Sequence, residues 1–117
     1  MNRDRDVEDP DLGPERALEL LGRATVGRVV YTIGALPAVL PVPFRLGPGG
    51  VLLTTPADEE LARAVEGAVI AFEADEVDDT DGSGWCVTVL GHAHTLPTAG
   101  ALQIRIRPEL VVGRRLP

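Results

Sequence analysis

Apolar side chains fall at every second position along LPAVLPVPFRL (36–46): Ala38, Leu40, Val42, Phe44 and Leu46 alternate with Pro37, Val39, Pro41, Pro43 and Arg45. A period of two predicts a strand with one face inward. Proline cannot donate to a ladder, so the prolines predict an edge strand, a bulge, or a backbone left free on one side. The segments VGRVVYTI (26–33), VLLTT (51–55), AVIAFEAD (68–75) and GWCVTVLGHAH (84–94) also read as strands, with Gly91 a candidate bulge. LQIRIR (102–107) alternates with Leu102, Ile104 and Ile106 inward, and a last short strand is expected at 110–112. Gly34 and GPGG (47–50) supply turns. One helix is expected to open at Gly13-Pro14-Glu15, bury Ala17, Leu18 and Leu21, and end near Gly22. A second is expected over about 56–66, closed by Gly67.

The sum is about six strands and two short helices. Strands joined by short turns favour antiparallel pairing, and closure into a small barrel hides the sheet edges. The expected fold is mainly β with short helices. A chain of 117 residues is one domain, expected at 13–117 behind a charged, disordered tail at 1–12. Aromatic residues are only 3%, so Val, Leu, Ile and Ala must fill the core.

Charge narrows the function. The net charge is −7, which argues against nucleic acid as a partner. All eleven basic residues are Arg, so no lysine Schiff base can form, and a phosphate anchor must be Arg or backbone. One cysteine excludes an internal disulfide and favours a reducing compartment. No apolar run approaches the ~20 residues of a membrane span, and the N-terminus is charged from its third residue. A soluble, cytoplasmic protein is expected, with no membrane partner.

The stretch LLTTPADEELARAV (52–65) is a strand running into a helix, a junction that can hold a phosphate. Asp58, Glu59 and Glu60 crowd that place. The same residues also read as plain capping, with the Thr55 hydroxyl as cap, Pro56 at the first helical position and acids facing the dipole. His92 and His94 share one side of a strand, but two ligands are too few for a zinc site, and no metal is expected. The acidic run at 75–84 lacks the first and last ligands of a calcium loop and reads as solvated. Cys86 has no acid–base partners in sequence and reads as a buried, inert thiol. Trp85 reads as a pocket or interface residue. Arg105, Arg107, Arg114 and Arg115 form a basic stripe that is expected to pair with carboxylates.

The order helix, VGRV, P…PVPF, TT…L, AFEAD, GWCVTVLGHA, RIRPELVVGRRL resembles the pyridoxamine 5′-phosphate oxidase-like proteins of the FMN-binding split-barrel type, in their short actinobacterial form. The resemblance covers residues 13–116. It implies a six-stranded antiparallel split β-barrel that forms a homodimer, with flavin mononucleotide (FMN) in clefts between subunits. It places the flavin ring against Pro41, Val42 and Pro43, its phosphate near Thr54, Thr55 and the following helix, and further contacts at Trp85 and Cys86.

Two positions depart from that pattern. Where such proteins carry basic phosphate anchors, this chain has Thr54 and Glu60. Each lost charge-assisted contact removes roughly 1.5–3 kcal/mol, and each nearby carboxylate adds roughly 1–3 kcal/mol of repulsion. The sum is about 5 kcal/mol, over three decades in affinity. Arg63, Arg28 and Arg45 are the candidate replacements. The expectation is an FMN-dependent oxidoreductase of unknown substrate. The alternative is a flavin-free dimer that binds another small-molecule ligand or serves structurally. A deazaflavin cofactor is a further option that meets the same phosphate problem.

Overall fold

The computed structural model describes residues 11–117. In chain order its elements are β1 (Asp11–Leu12), α1 (Pro14–Leu21), β2 (Val26–Ile33), β3 (Leu36–Gly47), β4 (Gly50–Pro56), α2 (Glu59–Val65), β5 (Val69–Val77), β6 (Gly84–Thr98), β7 (Ala101–Ile106) and β8 (Leu110–Leu116). Six strands pair antiparallel in the closed order β2–β3–β4–β7–β6–β5, and β5 pairs back onto β2. The barrel closes because β6, 15 residues long, changes partner along its length. Residues 84–92 pair with β5, and 93–98 pair with β7.

Three expectations change. Asp11 and Leu12, expected within a disordered tail at 1–12, pair with Arg114 and Gly113 of β8, and the rest of that expected tail, residues 1–10, lies outside the described residues. The terminal strand runs to Leu116 because β8 lies along the outer edge of β6, Leu90 opposite Leu110 and Gly84 opposite Leu116. Gly91 is not a bulge, since Ile70 pairs with it without a slip in register. It is where the β7–β8 connection crosses: a Cβ there would run into the Arg107 carbonyl.

The core follows from the alternation. Val29, Val42, Val51, Leu53, Phe72, Val87, Val89, Ile104 and Ile106 are fully buried or nearly so. Phe72 packs against Phe44 with ring centroids 4.6 Å apart. Its ring lies against Gly27, where any side chain would collide with it. Leu46, expected inward, is exposed near the end of β3. Helix α1 closes one side with Ala17, Leu20 and Leu21, while Leu18 is half-buried. It approaches β8 closely at Gly113, where a Cβ would meet that of Ala17. Burial of each such side chain stabilises by roughly 1.5–3 kcal/mol. No helix among the described residues is long and apolar enough to cross a membrane.

Candidate functional site

The prolines of β3 share one orientation. The Phe44 N–H donates to the Thr25 carbonyl on the β2 side at 3.0 Å. Backbone groups alternate along a strand, so the odd-numbered residues point theirs away from β2. Pro37, Pro41 and Pro43 are therefore accommodated without breaking the β2–β3 ladder. Strand β4 pairs with β3 only from Phe44 to Gly47, so the edge from 36 to 43 has no partner strand among the described residues. That edge offers carbonyls, and Val39 supplies its one backbone donor between Pro37 and Pro43. It suits a ligand edge rich in N–H groups.

The start of α2 is filled from within. Asp58, rather than Thr55, caps the helix and accepts from the Leu61 N–H at 3.0 Å. Strand β4 continues through Pro56, which pairs with Ala101, so the helix opens later than the proline implied. The Thr55 side chain is buried, and its hydroxyl donates to the Pro56 carbonyl at 2.8 Å. Thr54 is exposed on the other face of β4. Arg63 reaches 4.0 Å from Glu59 in solvent and turns its charge to its own helix.

A charged cluster occupies the outer face of the sheet. Pro41, Arg28, Glu73 and Thr88 lie opposite one another across β3, β2, β5 and β6. Arg28 donates through Nε to Glu73 at 2.9 Å and through Nη2 to Asp75 at 3.1 Å. The hydrogen bond that Arg28 donates to Glu73 raises the pKa of Arg28, so the guanidinium is held firmly charged. Cys86 donates its thiol to Glu73 at 2.9 Å. Burial first, and Glu73 second, push the Cys86 thiol up to about 12. A thiol this hard to ionise is no nucleophile at neutral pH.

The sequence-derived site residues therefore separate. Pro41, Pro43 and Cys86 share the outer sheet face. Val42 and Thr55 point into the barrel. Trp85 sits one residue from Cys86 and so faces the opposite side, buried beneath α1, with Nε1 donating to Glu76 at 3.1 Å. Thr54 and Arg63 stand on β4 and α2. Arg28, offered in sequence as a phosphate anchor, is already held by two carboxylates. The pairing of β2 with β5 that places Glu73 beside it has no local signature.

Several other polar groups are paired within the chain. His92 Nδ1 lies 2.6 Å from Glu109, and His94 Nδ1 lies 3.9 Å from Glu66. Glu66 accepts from both the N–H and hydroxyl of Thr95, at 2.7 and 2.8 Å, and these bonds hold its carboxyl below the usual range. Asp78 and Asp81 accept from Thr80 and Ser83 in their own loop. Among the described residues no three His, Cys, Asp or Glu side chains are grouped to hold a metal ion.

Comparison with known proteins agrees with this architecture. A family model described as pyridoxamine 5′-phosphate oxidase matches residues 14–114. The uncharacterized protein Rv0080 of Mycobacterium tuberculosis is 38% identical over 88 residues, 71% of this chain. The chain spans only 58% of that relative's length. An FAD-binding protein of Mycobacterium smegmatis has a TM-score of 0.75 at 28% identity, covering 90% of this chain and 95% of its own. An FAD-binding protein of Mesorhizobium loti shares the fold at 19% identity, with a TM-score of 0.76 over 92% and 96% of the two chains.

Proposed function

Because the chain belongs to the pyridoxamine 5′-phosphate oxidase family, we propose that it is a flavin-binding protein acting as an FMN-dependent oxidoreductase. The observation that carries this reading is the likeness to the mycobacterial FAD-binding protein over nearly the whole of both chains. The residues fit a flavin unevenly. The free edge of β3 presents carbonyls that can accept from the ring N3–H. The start of α2 does not fit the phosphate, because Asp58 already occupies it and Glu59 and Glu60 stand exposed beside it. Bound flavin would supply the hydride chemistry; this chain would position the ring.

A homodimer accompanies this proposal. Val39, Val30, Ala71, Leu90 and Leu110 lie opposite one another across five strands of the outer face. Val39 and Leu110, at its two ends, are 58% and 56% exposed. An apolar band of this width on an acidic protein fits a second copy, which would cover it and complete a cleft beside β3.

The second reading is a flavin-free dimer, favoured by the self-capped α2 and the absent anchors at Thr54 and Glu60. Deazaflavin is the third. Purified protein titrated with FMN, FAD and a deazaflavin, read by absorbance and by sedimentation, separates them. A yellow dimer saturating with FMN supports the first reading. A colourless dimer indifferent to all three supports the second, and a monomer removes the proposed cleft.

A further inference from the structure

A second site stands on the opposite face of the sheet, where α1 crosses the start of β6. Glu76, Trp85 and Arg115 pair directly across β5, β6 and β8, so their side chains form one row. Arg115 shares strand parity with Gly113, the residue that α1 touches, and therefore faces the helix. Arg16 on α1 and Arg23 just beyond it reach the same place. Together they line a pocket of about 320 Å³ whose apolar floor is Trp85, Leu12 and Leu20.

The charges there are unusual for this chain. Acids outnumber arginines 18 to 11, yet among the described residues three arginines and one acid line this pocket. The one acid, Glu76, already accepts from the Trp85 indole. Arg16 pairs with Glu19 at 3.0 Å in an exposed contact, which is weak and readily exchanged. Arg23 and Arg115 have no carboxylate partner among the described residues. Arg28, by contrast, is held between Glu73 and Asp75.

We propose that this pocket binds a small anionic aromatic compound, its phosphate or carboxylate held by Arg23, Arg115 and Arg16 and its ring laid on Trp85 and Leu20. The volume lies at the low end of the range for ligand pockets, which suits a single ring with one anionic group rather than a dinucleotide. Guanidinium groups favour such planar anions through paired hydrogen bonds. The proposal is independent of flavin binding, since it uses none of the residues on the β3 edge.

Trp85 is the chain's single tryptophan, so its fluorescence reports on the pocket directly. The full chain is titrated with phenyl phosphate as probe. A saturable change is expected, with inorganic phosphate competing at higher concentration and benzyl alcohol giving no saturable change. Arg23→Gln and Arg115→Gln should each weaken binding about tenfold or more. Arg63→Gln, on α2, should leave it unaltered. Melting curves establish that the variants fold; should Arg115→Gln not fold, Arg23→Gln and Arg16→Gln carry the test. No saturable signal in the wild-type chain, equal affinity in the folded Gln variants, or equal binding of benzyl alcohol would overturn the site. Flavin absorbance, followed separately, shows whether the two readings stand or fall apart.

Discussion

The start of α2 and the pocket under α1 treat negative charge in opposite ways. At α2 the backbone offers N–H groups and a favourable dipole, and Asp58 takes them with its own carboxylate. Beneath α1 three arginines line the pocket, and Arg23 and Arg115 lack carboxylate partners among the described residues. A helix start that the protein caps itself is stability, whereas arginine left unpaired beside an aromatic floor is available to a ligand. The place where a strand–helix junction suggests a phosphate is thus the less receptive of the two.

The sharpest way to break the comparison is to reverse the charge at α2. Thr54→Arg with Glu60→Arg should raise FMN affinity about a thousandfold, if two charge-assisted contacts replace one repulsion. A flavin titration by absorbance checks it, and no gain would mean that the phosphate lies elsewhere. The phenyl phosphate signal at Trp85 should not move in that variant.

A smaller effect sharpens the contrast between paired and unpaired arginines. Glu73→Gln strips Arg28 of its main partner and should cost about 1 kcal/mol, the exposure of Arg28 keeping the figure low. It should also lower the pKa of Cys86, because Glu73 contributes to the rise while burial remains. Thiol titration with a chromogenic disulfide should show faster reaction at pH 9 than in the wild-type chain. Asp58→Ala should likewise cost about 1 kcal/mol through loss of the cap, measured by chemical denaturation. The loss of its charge should only modestly improve flavin binding.

The smallest expected effect concerns acid. Glu66 and Glu109 have lowered pKa values in the folded protein, through Thr95 and His92 respectively. Their contribution is therefore complete above the ordinary glutamate range and is lost as pH falls through the depressed folded values. The melting temperature should decline on that acid side, and Glu66→Gln should flatten part of the decline. A Glu66→Gln profile parallel to that of the wild-type chain would remove Glu66 from this account.

Much of the fold was legible because alternation is local. The β3 pattern, the apolar runs of β5 and β6, and the Gly-Pro start of α1 each announce themselves within a dozen residues. The α2 start lies later than Pro56 implies, because Pro56 serves β4, whose pairing with β7 no local signal reveals. Gly91 was legible as special, but its reason is a crossing by residues far along the chain. The site was less legible. The resemblance puts Trp85 and Cys86, adjacent in sequence, beside one ligand, whereas strand alternation sends their side chains to opposite faces.

By itself the sequence determined that a small β-rich acidic domain forms, that its only side-chain cations besides histidine are arginines, and that a strand carrying three prolines cannot pair in full on both sides. Those follow from residue types and short-range periods. Only the tertiary structure decided which arginines are neutralised. Arg28 meets Glu73 through the β2–β5 pairing, while Arg16, Arg23 and Arg115 come together because a helix lies over the β6–β8 ladder. Charge pairing depends on distances across the fold, and spacing along the chain does not encode them.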